Sequence, residues 1–181
     1  MRSAEDIIDF WFVQHGQEDW FGGKPEFDTT LATAFGQTHP HVALGEAWRW
    51  RSSPQGRLAE VIVLDQFSRQ LHRGEPAAFE QDKMALALAQ EAIAAGADMA
   101  VEPVRRAFFY LPFMHAESLV IQDEGVRLYE ALGDADQLDY MRKHREVIAR
   151  FGRFPFRNQA LGRTSTPEGA SYMAEQGDRA F

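Results

Sequence analysis

Proline and glycine punctuate this chain at intervals that suit helices. The clearest instance is SSPQGRLAEVIVLDQFSRQLHRG, residues 52–74. Ser53 is an N-cap, Pro54 fits the first helical position because its fixed φ is already helical, and Gly74 stops the helix near His72. Between them Leu58, Val61, Ile62, Leu64, Phe67 and Leu71 recur at three- and four-residue spacing. The same grammar runs along the chain. Ser3 with Asp6 is a variant capping box before an amphipathic stretch to about Val13. Pro76 starts a helix that Gly96 ends, and Pro103 opens another that Pro112 bends or breaks. A further helix runs to Leu132, and Gly133-Asp134 separates it from one extending to about Phe151, with Gly152 as its C′ residue. Thr166-Pro167-Glu168 opens a last short helix. No stretch alternates with period two for long enough to make a sheet. The expected fold is all-α, with about seven to eight helices in antiparallel hairpins.

At 181 residues and 45% hydrophobic content the chain is the size of one domain, so residues 1–181 are expected to form a single α-helical domain without staples. There is no cysteine, which excludes disulfides, a thiol nucleophile and Cys-type zinc sites. MRSAEDIIDFWF carries no export signal. The longest aliphatic run, Val61 to Leu64, is far short of the roughly 20 residues that cross a bilayer. A soluble cytoplasmic protein with no membrane partner is the expectation. The Gly16 to Pro25 stretch is expected to be an ordered loop holding Trp20 and Phe21.

The formal charge of −8 hides an asymmetry. Residues 142–163 carry seven basic residues, Arg142, Lys143, Arg145, Arg150, Arg153, Arg157 and Arg163, against Glu146 alone, a net +6 in an otherwise acidic chain. That distribution argues against a broad nucleic-acid surface and allows a local anion site. Within it, RFGRFPFRNQALGR cannot be one regular helix. Guanidinium forks bind carboxylates or phosphates through paired hydrogen bonds, so Arg153, Arg157 and Asn158 are candidate ligand-binding residues for a small anion or a peptide. The plainer reading is that arginine is this chain's default cation, at 16 Arg to 3 Lys, and that it favours a helix C-terminus. Phe151, Phe154 and Phe156 read as anchors pinning the loop.

Two other clusters qualify. In LDQFSRQLHRG, Asp65, Arg69 and His72 fall at i, i+4 and i+7, on one helix face opposite much of the apolar stripe. Asp65 and Arg69 are therefore candidate ligand residues. The plainer alternative is a helix-surface pair worth about 0.2–0.5 kcal/mol. In YLPFMHAES, Tyr110, His115 and Glu117 surround Pro112, and an imidazole beside a carboxylate can move protons. The catalytic candidates are accordingly Asp65, His115 and Glu117, although most such pairs are structural. His144 shares a stripe with Tyr140, Val147 and Phe151 and reads as a satisfied, largely buried histidine. There is no Gly-rich phosphate loop, dinucleotide fingerprint, HExxH or nucleophile elbow, so no cofactor is expected. His115 with Glu117, and His39 with His41, lack helical ligand spacing, so no metal is expected either.

Four segments, LDQFSRQLHRG, YLPFMHAES, RFGRFPFRN and LGRTSTPE, together resemble a largely bacterial family catalogued as domain of unknown function 924. They follow that family's order over residues 64–168, and DFWF with the Trp20-Phe21 loop resembles its N-terminal part. The resemblance implies a helical fold of the tetratricopeptide-like superfamily and no assigned activity. The chain departs from the pattern at Ser68 and Gln70 (DQFPRN), at Ala116 (HSE) and at Phe156 (FPHRN). Three functions are open: binding of a small anion or peptide carboxylate between Asp65/Arg69 and Arg153/Arg157/Asn158; an enzyme using His115 or Asp65 as general base; and an interaction module whose arginine loop is purely structural.

Overall fold

The computed structural model describes residues 1–21 and 23–177. Among them every regular element is helical. Chain contacts divide the protein into two compact units: residues 1–73 with 77–112, and residues 74–76 with 113–181.

The first unit opens with α1 (Ala4–Asp9), whose Ser3 and Asp6 form the reciprocal capping box, and which widens into a π-helical turn, Phe10–Gln14. The short α2 (Gln17–Trp20) occupies part of the expected loop, pinned where the Trp20 indole donates to the Trp11 carbonyl at 2.7 Å. Gly22 in that loop lies outside the described residues. Next come α3 (Pro25–Phe35), α4 (His39–Ala43) and a 3₁₀ turn, Trp48–Ser52. The sequence reading delimits none of these three, which are short or only weakly amphipathic.

The long segment after Ser53 is α5 (Pro54–Ile62), a π turn (Val63–Phe67) and α6 (Ser68–Leu71). Its cap is the one expected, Ser53 Oγ accepting from the Gly56 N–H at 3.1 Å. Its environment is not. Residues 58–68 are buried without a break, so this helix has no solvent face and Asp65 lies inside the unit at 1% exposure. A helix covered on all sides belongs to a core, and the surface-pair reading of Asp65 and Arg69 is thereby corrected. α5 packs on α1 and on α7 (Asp82–Ala94), which presents Ala85, Ala89 and Ala92 where close approach is needed. The expected helix start at Pro76 is also corrected: Pro76–Ala78 is a separate 3₁₀ turn, and α7 begins at Asp82. α8 (Pro103–Met114) runs through Pro112 and ends two residues later, so that proline does not break it.

The second unit is built on an antiparallel hairpin. α9 (Leu119–Leu132) ends at Gly133, whose φ of 80° is the left-handed conformation that stops a helix, and Asp134 caps α10 (Ala135–Phe151) by accepting from the Gln137 N–H at 3.1 Å. A Cβ at Gly125 would come within 2.8 Å of the Met141 methyl, so glycine lets these helices approach. Gln122, fully buried, donates to the carbonyls of Met114 and Ala116 at 2.7 and 2.8 Å and holds the chain around His115. After Gly152 the loop forms a 3₁₀ turn, Pro155–Arg157, and enters α11 (Pro167–Gln176), capped by Thr166. Taking each α–π run as one helix, the longer helices among the described residues are α1, α3, α5–α6, α7, α8, α9, α10 and α11, in line with the expected seven to eight.

Candidate anion site in the C-terminal loop

Three phenylalanines set the course of the loop. Phe154 is fully buried against Val147 and Ile148, while Phe151, Phe156 and Tyr172 pack on the same cluster. They are the anchors that the sequence suggested, and Phe156, standing where the family pattern has His, is one of them. A loop fixed in this way presents its polar side chains in set directions, and they divide into two groups.

The first group is committed to the protein. Arg157 is 5% exposed, lies 4.6 Å from the Phe154 ring centroid, and donates from Nη2 to the His115 carbonyl at 2.9 Å. Arg163 grips Glu117 with a two-pronged fork at 2.7 and 2.9 Å, and Glu117 Oε1 also accepts from the Phe154 N–H at 2.7 Å. Burial by itself would raise the Glu117 carboxyl; the Arg163 hydrogen bonds, the Phe154 N–H and the charges of Arg157 and Arg163 outweigh it, and the net shift is downward. A carboxylate held ionised in this manner is a poor proton acceptor. Further along the basic segment, Arg142 pairs with Glu130, Lys143 with Asp139, Arg145 with Asp123, and Arg150 with Glu168. His144 is buried, with Nδ1 2.8 Å from the Tyr140 carbonyl, as read from its stripe.

The second group faces a pocket of about 130 Å³ lined by Phe151, Arg153, Pro155, Asn158, Thr164, Thr166 and Gly169. Arg153 is exposed and, among the described residues, makes no hydrogen bond or ion pair. Asn158 is 4% exposed and donates from Nδ2 to Ser165 Oγ at 3.2 Å. Thr166 Oγ1, as the cap of α11, accepts from the Gly169 N–H at 3.1 Å. Of the expected ligand residues the structure thus brings Arg153 and Asn158 to one pocket and turns Arg157 into the loop's own scaffold. No sequence signal marks Thr164, Thr166 and Gly169 as lining, since Thr166 is legible only as a cap.

Asp65 and Arg69 belong to the first unit. Arg69 Nη1 lies 3.1 Å from Asp65 Oδ1, 2.8 Å from the Asp65 carbonyl and 2.9 Å from Asp82 Oδ1, and Gln66 Nε2 donates to Asp65 Oδ2 at 2.6 Å. Burial works against the Arg69 charge and the two carboxylates more than restore it, so its pKa is raised. Asp82, some 13 positions away along the chain, has no sequence signal tying it to this pair. His115 is half-buried and contributes its carbonyl to Arg157. The Tyr110 hydroxyl, the remaining member of that motif, donates to Asp98 at 2.7 Å.

The profile of the bacterial proteins of unknown function named DUF924 matches residues 7–177. The chain belongs to that family. The DUF924 match extends beyond the four motifs on either side. The chain is also similar to a solved structure, a protein of unknown function, ATU0120, from Agrobacterium tumefaciens, at 38% identity over 95% of this chain and 97% of that one, with a TM-score of 0.91. No protein with a curated description matches. Among the described residues no helix is long and apolar enough to cross a membrane.

Proposed function

We propose that this DUF924 protein binds a small anionic ligand in the loop pocket of its second unit. One observation carries the reading: Arg153 alone in the basic segment 142–163 is exposed without a protein partner, and it lines a pocket, whereas its six basic neighbours are each held by the protein's own groups. An unspent guanidinium beside hydroxyl groups is suited to a carboxylate or phosphate. A catalytic role for Glu117, one of the candidates of the enzyme reading, has less support, since its oxygens already accept from Arg163 and the Phe154 N–H.

The test is thermal unfolding of wild type and Arg153→Ala in acetate and in inorganic phosphate, with chloride at matched ionic strength as reference. A site filled to about 100 times its Kd stabilises by about 2.7 kcal/mol. The expected outcome is a stabilisation by one of the anions that Arg153→Ala abolishes without lowering the ligand-free melting temperature. Equal shifts in wild type and variant would overturn the proposal.

A further inference from the structure

Given an anion in the pocket, the hydrogen-bonding groups around it specify that ligand in more detail, so the inference rests on the anion-binding reading. Three donors are unspent. Arg153 brings its whole guanidinium. Thr166 Oγ1 uses a lone pair on the Gly169 N–H, which leaves its own proton to donate. The Thr164 hydroxyl makes no hydrogen bond among the described residues. Against these stands a buried unspent acceptor: Asn158 gives Nδ2 to Ser165, while its Oδ1 is buried and receives no protein donor. A buried carbonyl without a donor is costly, and a ligand N–H would remove that cost.

Charge and shape narrow the choice further. Arg150 is neutralised by Glu168, so the surplus at the pocket is the single charge of Arg153, which suits a monoanion better than a dianion. Phe151 and Pro155 supply apolar surface. At about 130 Å³ the cavity is well below the roughly 300 Å³ at which drug-sized sites begin, so it takes the end of a molecule.

We infer that the pocket receives the carboxyl end of an N-acylated amino acid, with the carboxylate on Arg153 and the threonine hydroxyls, the amide N–H on Asn158 Oδ1, and the side chain against Phe151 and Pro155. Two sources share this chemistry, a free N-acyl amino acid and the C-terminus of a polypeptide.

The experiment is calorimetric titration of the full chain with N-acetyl-L-phenylalanine, its carboxamide, 3-phenylpropionate and inorganic phosphate. N-acetyl-phenylalanine should bind wild type and fail to bind Arg153→Ala, whose exposed position leaves the fold intact by circular dichroism. The carboxamide should not bind. 3-Phenylpropionate, which keeps the ring and carboxylate but lacks the N–H, should bind about three- to tenfold more weakly. This comparison on wild type needs no substitution at buried Asn158. Binding of the carboxamide as tightly as the acid, or of 3-phenylpropionate as tightly as N-acetyl-phenylalanine, overturns the inference. Arg153-dependent binding of phosphate without N-acetyl-phenylalanine overturns it while the broader anion reading stands; no Arg153-dependent binding of any probe overturns both. Given binding, acetyl-Ala-Ala-Phe assigns the source: a tighter tripeptide identifies a chain end, an equal one a free N-acyl amino acid.

Discussion

Arg153 and Arg157 are chemically identical and four positions apart, yet their substitution should have opposite consequences. Arg157→Ala removes a buried guanidinium that packs on Phe154 and satisfies the His115 carbonyl, and should cost about 2–3 kcal/mol in denaturant unfolding. Arg153→Ala, at an exposed and unpaired position, should stay within about 0.5 kcal/mol of wild type. A large loss at Arg153 would place that residue in the scaffold. The sequence could name both arginines as candidates, because a cluster of cations on a Gly/Pro-shaped loop is visible in one dimension. It could not sort them, because burial of a side chain depends on where Phe154 goes, and Phe154 is placed by α10.

At the scale of elements, α4 is joined to the buried helix through a histidine. His39 Nε2 lies 2.8 Å from Ser68 Oγ, and Ser68 donates its own proton to the Leu64 carbonyl, so His39 Nε2 must be the protonated nitrogen of a neutral ring. Burial, and then the His72 ring 5.4 Å away, lower the His39 pKa from 6.5 to about 4. The unfolded chain therefore takes up a proton that the native state refuses as pH falls from about 6.5 to 4. Stability should drop by up to about 3 kcal/mol across that window. Glu117 has the opposite origin and the same direction, since its lowered pKa makes its contribution present above 4.5 and lost as pH falls through the folded value. Urea midpoints measured from pH 7 to 4 should fall for wild type and flatten for His39→Gln; parallel curves would rule His39 out as the source. Between α9 and α10, Asp134→Ala should cost about 1 kcal/mol through the lost cap, read as faster amide exchange in the first turn of α10.

For the whole molecule the charge balance makes its own prediction. The chain is net −8, and six of the seven cations in segment 142–163 are held internally, so it should elute from heparin below about 0.15 M salt. Retention well above that would mean those pairs open to polyanions. What the sequence determined by itself was local: the helical class, the caps at Ser3 and Ser53, the opening of the last helix at Thr166-Pro167, and the stops at Gly133 and Gly152. Each follows from backbone geometry and hydrogen bonds spanning a few residues, which the chain encodes directly. The tertiary structure alone decided that α5 has no solvent face, that Arg69 meets Asp82 as well as Asp65, that Arg163 takes Glu117, and that Arg153 stays exposed without a protein partner. Those outcomes depend on which distant carboxylate reaches a guanidinium first and on which side chains the packed helices cover, and no spacing along a single chain records either.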